Sequence, residues 1–166
     1  MQKQEAEKQF EKHIREHELL LHKVCRMYAY TNADRQDLFQ ETVIQLWKAF
    51  PAFKGDSKLS TWMYRIAINT AITRLRKQKN FITSYEPNGF PEQASDDSTG
   101  VMEEEKLQQL YKAIEQLNEI EKAIIMLYME DRSYLEMEDI LGINEGTLRV
   151  KMNRIKEKLR QLTKTY

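Results

Sequence analysis

The chain has a single cysteine, Cys25, in 166 residues, so it can form no internal disulfide. A lone thiol fits a reducing cytosol better than an oxidising compartment. Glycine and proline are scarce, at five and three residues, which argues against a sandwich or barrel built on many tight turns. Long apolar runs are missing too: the longest, AIIMLYM from Ala123 to Met129, is far too short to cross a bilayer. The opening MQKQEAEKQFEKH is polar and holds no apolar stretch of a signal peptide. These absences leave a soluble, cytoplasmic, helix-rich chain with no membrane insertion as the expectation.

What is present is charge, unevenly placed. Charged residues make up 31% of the chain and apolar ones 41%, enough for real cores under a well-solvated surface. Lys plus Arg equals Asp plus Glu, at 26 each, but the neutrality is an average. Residues 1 to 79 carry fifteen bases and nine acids, whereas residues 80 to 105 carry seven acids and no base. Near the end, GTLRVKMNRIKEKLRQL sets Arg149, Lys151, Arg154, Lys156, Lys158 and Arg160 against one acid, Glu157. Asymmetry of this kind points to a polyanionic partner, with the acidic part held apart from the basic ones.

The segment FITSYEPNGFPEQASDDSTG, Phe81 to Gly100, is rich in turn residues and keeps no helical or alternating period. It reads as a flexible connector over about 79 to 102, with a helical block on each side.

The first block reads as three or four helices. Phe10, Ile14, Leu21, Val24 and Tyr28 recur at helical spacing, and Asn32 suits the N-cap of the next helix. In DLFQETVIQLWKAF, Phe39, Val43, Leu46 and Phe50 step by four, three and four and predict a buried stripe. Asp37, Gln40, Glu41, Ile44 and Lys48 then look outward, with Ile44 a conspicuous exposed isoleucine. A third helix is expected from about Ser60 to Lys77. At about 100° per residue, Met63, Tyr64, Ala67, Ile68, Ala71 and Leu75 share one side, and Trp62, Arg65, Asn69, Thr73, Arg76 and Lys77 the other. No acid occurs from Ser57 to Tyr85. An aromatic, an amide and several bases on one face suit nucleic acid, where cations neutralise phosphate and aromatic or amide groups address bases. A core tryptophan beside solvated bases is the plainer alternative.

The second block reads as helix, turn, helix. Tyr134, Met137, Ile140 and Leu141 predict a short amphipathic helix, Gly142 the turn, and Asn144 the cap of the next helix. Leu148, Met152, Ile155, Leu159 and Leu162 form the seam of that helix. Thr147, Val150, Asn153 and Arg154 point away from the seam. Arg149, Lys156 and Arg160 flank them on one side, Lys151 and Lys158 on the other. A central strip that is small or polar can enter the major groove while flanking cations meet phosphates on its walls. A membrane-bound basic helix is disfavoured by the lack of bulky membrane-seeking aromatics.

Together these stretches resemble a bacterial sigma factor of the small extracytoplasmic-function (ECF) type, which keeps regions 2 and 4 of the sigma-70 family. DLFQETVIQLWKAF, FKGDSKLSTWMYRIAINTAITRLRK and SYLEMEDILGINEGTLRVKMNRIKEKL carry the resemblance over most of residues 10 to 162. It implies an all-α fold of two small helical domains: region 2 in 1–79, an acidic linker in 80–105 and region 4 in 106–166. It implies that Asp37, Gln40, Glu41, Ile44 and Lys48 dock on the β′ clamp of core RNA polymerase, with the β subunit as a further contact. Lys54, Asp56, Ser57, Lys58, Trp62, Arg65, Asn69, Arg76 and Lys77 would engage the −10 element and capture an unstacked base. Asn144, Glu145, Thr147, Arg149, Val150, Lys151, Arg154 and Lys158 would read the −35 element as duplex. The resemblance implies no catalytic residue, metal or cofactor, and it admits an anti-sigma factor as a partner besides polymerase and promoter DNA.

Four positions depart from the family pattern: Leu59, Asn118, Glu138 and Val150. Glu138 stands where an alanine usually lets two helices approach. A buried unpaired carboxylate there would cost several kcal/mol, so either it reaches solvent or the helices sit apart. Three other readings stay open, one of them a sigma fold that serves as a protein-interaction module held by an anti-sigma factor. A helix–turn–helix regulator acting without polymerase needs only the second block and leaves Ile44 and the Trp62 face unexplained. His13-Ile14-Arg15-Glu16-His17 spells H-x-x-E-H, a metalloprotease-like motif, but no third ligand is evident beyond the nearby His22.

Overall fold

The computed structural model describes residues 2–84 and 102–164, apart from the side chains of 79–84 and of 102–103. Every regular element among them is helical: α1 (Gln2–Glu16), α2 (Glu18–Tyr28), α3 (Asn32–Ala49), a 3₁₀ turn (Phe50–Ala52), α4 (Leu59–Ser84), α5 (Met102–Glu115), α6 (Glu119–Met129), α7 (Tyr134–Leu141) and α8 (Glu145–Lys164). Helices α1–α4 belong to one compact unit and α5–α8 to a second.

In the first unit α2, α3 and α4 pack against one another. Leu21, Val24, Cys25 and Tyr28 of α2 and Met63, Tyr64, Ala67, Ile68 and Ala71 of α4 are all buried. Complete burial contributes roughly 1.5–3 kcal/mol for each large apolar side chain. The stripe on α3 is not the expected one: Leu38, Thr42 and Leu46 are buried, while Phe39, Val43 and Phe50 are only half-buried. The helix is turned because Thr42 is tolerated inside, its hydroxyl donating to the Leu38 carbonyl at 2.7 Å. Phe39 is drawn aside to stack on His22, with ring centroids 4.5 Å apart. The α3 cap also shifts by one residue. Thr31, not Asn32, is in the extended conformation, and its Oγ1 accepts from the Asp34 N–H at 3.1 Å.

The H-x-x-E-H sequence does not lie on one continuous helix. The chain breaks at His17, whose Nδ1 lies 3.0 Å from the His13 carbonyl oxygen. Among the described residues no group of three or more His, Cys, Asp or Glu is placed to hold a metal ion.

In the second unit α8 is the hub, packed on α5, α6 and α7. Its seam of Leu148, Met152, Ile155 and Leu159 is buried, with Leu162 half-buried. Helix α6 is apolar almost all round and correspondingly enclosed, from Ala123 to Leu127. Asn118, a departure from the family pattern, starts α6 with a capping box. Its Oδ1 accepts from the Glu121 N–H at 2.8 Å, and Glu121 Oε1 accepts from the Asn118 N–H at 3.0 Å.

The stretch expected as connector is helical at both ends. Helix α4 continues to Ser84, and α5 already begins at Met102, so Glu104 and Glu105 are exposed helical residues. The other acidic positions in the Pro- and Ser-rich part, Glu86 to Asp97, lie outside the described residues. No described helix is long and apolar enough to cross a membrane.

Candidate nucleic-acid and polymerase interfaces

The turn between α7 and α8 forms as its residues dictate. Gly142 ends α7 at φ 72°, a left-handed conformation that glycine adopts cheaply, and its N–H reaches the Glu138 carbonyl at 2.8 Å. Asn144 caps α8, its Oδ1 accepting from the Thr147 N–H at 2.8 Å. Glu138 itself is half-buried, so the carboxylate is not enclosed between the helices. Of the expected α7 seam, Met137 and Ile140 are buried, but Tyr134 and Leu141 are only half-buried.

Opposite the seam of α8, Thr147, Val150, Lys151, Asn153 and Arg154 are exposed, as the helical period requires. Lys151 and Arg154 have no hydrogen-bond or ion-pair partner among the described residues. Three of the flanking cations, Arg149, Lys156 and Lys158, are tethered. Arg149 donates through Nη2 to Glu145 Oε1 at 2.7 Å and lies over the Tyr134 ring at 4.6 Å. Lys156 donates to the Tyr128 hydroxyl at 3.2 Å, with its ammonium 4.7 Å from the ring centroid. Lys158 pairs with Glu121 of α6 at 3.2 Å. Exposed pairs of this kind are worth about 0–1 kcal/mol, so a phosphate can displace the carboxylate at little cost. Only contacts far apart in sequence, such as Lys158 with Glu121, lay beyond the reach of a helical wheel.

On α4, Asn69, Thr73, Arg76 and Lys77 are exposed while Trp62, Arg65 and Ile66 are half-buried. Trp62 is neither a core residue nor a free one. Its ring leans on Phe53 at 4.8 Å and Phe50 at 6.3 Å, and Phe50 in turn meets Phe10 at 5.4 Å. This aromatic cluster fixes the tryptophan, which as a residue stays half-buried rather than enclosed. The preceding loop turns at Gly55, φ 78°, and presents exposed Lys54, Asp56 and Lys58, with Ser57 half-buried.

On α3, Asp37, Gln40, Ile44 and Lys48 are exposed and Glu41 is half-buried. Ile44 is 51% exposed. The residue that sequence reasoning missed here is Arg74 of α4. Its guanidinium lies 3.7 Å from Asp34 and 3.8 Å from Asp37 and donates to the Asp34 carbonyl at 3.3 Å, pinning the start of α3 to α4.

A capped helix–turn–helix with an outward cationic second helix, in a chain that also holds a separate helical unit with an aromatic and basic face, defines a DNA-binding protein. The family comparisons are more specific. Sigma-70 region 2 matches residues 13–81, and Sigma-70, region 4, matches residues 107–159. The chain is 31% identical over 149 residues to the ECF RNA polymerase sigma-E factor of Escherichia coli (strain K12), covering 82% of this chain and 78% of that protein. It is 25% identical over 155 residues to the ECF RNA polymerase sigma factor SigM of Mycobacterium tuberculosis, with 92% and 76% covered. Among solved structures it resembles RpoE from Bartonella quintana, determined in complex with the anti-sigma factor NepR. The TM-score is 0.78 at 22% identity, over 95% of this chain and 98% of that one. CnrH in complex with the cytosolic domain of CnrY gives a TM-score of 0.69 at 18% identity, over 96% and 90%. The chain belongs to the ECF sigma factors of the sigma-70 family, proteins of transcription initiation. A regulator acting without polymerase is not favoured, because region 2 has no place in it.

Proposed function

We propose that this chain is a cytoplasmic specificity subunit of RNA polymerase, without a catalytic site of its own, that directs initiation by recognising both promoter elements. Residues 1–79 act as region 2, 80–105 as an acidic connector and 106–166 as region 4. Asp37, Gln40, Glu41, Ile44 and Lys48 dock on the β′ clamp. An exposed isoleucine among polar groups supports this, since a partner can bury it. The Lys54–Lys58 loop with Trp62, Arg65, Asn69, Arg76 and Lys77 engages the −10 element. There the half-buried Trp62 stacks on an extruded base, a contact worth about 1–3 kcal/mol that offsets part of the cost of unpairing.

Helix α8 enters the major groove of the −35 element. Thr147, Val150 and Arg154 face base edges, Arg149, Lys151 and Lys158 face phosphates, and Asn144 and Glu145 set the helix N-terminus against the backbone. The observation that carries the reading is the exposed Thr147–Val150–Lys151–Arg154 strip on a fully seated α8, in a chain that also matches region 2. An anti-sigma factor is a further proposed partner. It is supported by the folds resembling this one, which were solved with the anti-sigma factor NepR and with the cytosolic domain of CnrY.

Reconstitution with purified core polymerase tests the reading. Run-off transcription from selected genomic fragments is expected only when the chain is added. Specific duplex binding without any gain in initiation would instead support a polymerase-independent regulator.

A further inference from the structure

We infer that Val150 reads the 5-methyl group of a thymine, and so sets one base of the duplex element that α8 recognises. This rests on the proposed entry of α8 into the major groove and names what one residue does there. Wound at about 100° per residue, Val150 lies about 190° from the centre of the Leu148–Met152–Ile155–Leu159 seam. It is therefore at the crest, the part of the helix that goes deepest into a groove. It is also the sixth residue of α8, within the N-terminal turns that approach base edges in helix–turn–helix docking.

The side chain is 51% exposed and carries no donor or acceptor. A β-branched residue favours neither helix formation nor solvation at such a site. Among the groups that base pairs present in the major groove, the thymine methyl is the apolar one, and an apolar side chain complements it. Its neighbours are arranged so that this contact is not crowded out. Arg149 is held at the flank by Glu145 at 2.7 Å and Tyr134 at 4.6 Å, so its long side chain does not sweep across the crest. Lys151 and Arg154 stand beside the crest, exposed and able to reach phosphate or base. The next crest position, seven residues on, is Glu157, paired with Arg160 at 3.6 Å. A carboxylate there repels the phosphate walls, so the reading strip ends after Arg154 and Val150 is its one apolar contact.

The test uses the reconstituted holoenzyme. Selection from duplexes randomised upstream of the start site defines the preferred element. Each thymine in that element is then replaced by deoxyuridine, which removes only the methyl group. At one position the replacement is expected to weaken binding by wild-type holoenzyme about fourfold, equivalent to roughly 0.8 kcal/mol for one apolar carbon. Holoenzyme carrying Val150→Ser, an exposed change that leaves the seam intact, is expected to bind thymine and uracil duplexes alike at that position. The inference is overturned if the selected element contains no thymine, or if no methyl matters more to the wild type than to Val150→Ser. Either result leaves the sigma-factor reading standing. Failure to select any element would remove that reading and this inference with it.

Discussion

The guanidinium of Arg149 lies 4.6 Å from the ring centroid of Tyr134, across the turn that joins α7 to α8. Glu145 completes the cradle from within α8 at 2.7 Å. On the proposed −35 docking, Arg149 would thus be oriented before any DNA arrives, and less rotamer entropy would be lost on binding. The cation–π contact at an exposed site is worth about 0.5–1 kcal/mol. Tyr134→Leu is therefore expected to weaken −35 binding by about two- to fivefold while leaving its salt dependence unchanged, because the charge remains. Arg149→Ala removes the charge and should lower the slope of log affinity against log salt by about one. Fluorescence anisotropy of holoenzyme at several salt concentrations separates the two effects. An unaltered slope for Arg149→Ala would strike this residue from the phosphate contacts.

Trp62 and Asn69 offer a prediction on strand opening. Trp62 is fixed by Phe53 and Phe50, whereas Asn69 projects freely into solvent. Trp62→Ala deletes a stacking surface and should reduce promoter opening by about tenfold, within the 1–3 kcal/mol expected for one stacked base. Asn69→Ala should reduce opening with no effect on folding. Both variants should bind core polymerase like the wild type. Permanganate reactivity of unpaired thymines reports the opening, and a variant that loses core binding instead would show that the two surfaces on this unit are not separate.

The contrast between α8 and α3 shows which features were legible in the sequence. The seam, cap and turn of α8 were readable because Leu148, Met152, Ile155 and Leu159 obey one period and Gly142 and Asn144 mark its start. On α3 the period was misread: Thr42 occupies a core position and Phe39 is diverted onto His22, so a polar residue lay inside and an aromatic outside the stripe. The faces proposed for DNA and polymerase could be drawn on helical wheels. The tethering of Lys158 to Glu121 and of α3 to Arg74 could not, because both join residues more than thirty positions apart. Trp62 was ambiguous for a related reason: the rings against it, Phe50 and Phe53, lie outside α4.

Cys25 gives a prediction that depends on pH. Burial pushes its thiol pKa up from 9.0 to about 11, against an opposing pull from Arg74 and Arg35. The folded state therefore holds the proton more tightly than the unfolded chain. Below pH 9 both states are protonated and the contribution to stability is whole; between about 9 and 11 the unfolded thiol ionises first and that contribution is lost. Denaturant midpoints of the wild type should fall over this interval more steeply than those of Cys25→Ala. At pH 8 the native thiol should resist alkylation by iodoacetamide until denaturant is added, since the reactive thiolate is scarce and enclosed.

Ile44 separates docking from folding. It is 51% exposed on α3, opposite the buried Leu38, Thr42 and Leu46, so a polar replacement touches no core contact and should leave the thermal midpoint within about 2 °C. If this face meets the polymerase, however, the isoleucine becomes buried there, and an aspartate would carry an unpaired charge into the interface. Ile44→Asp should then weaken core binding at least tenfold, about 1.4 kcal/mol or more. Lys48→Ala, an exposed charge at the rim of the same face, should change it by less than about threefold. Titration of labelled sigma variants with core polymerase measures both. Wild-type affinity for Ile44→Asp would move the docking surface off α3, and the exposed isoleucine would then be no more than a tolerated surface residue.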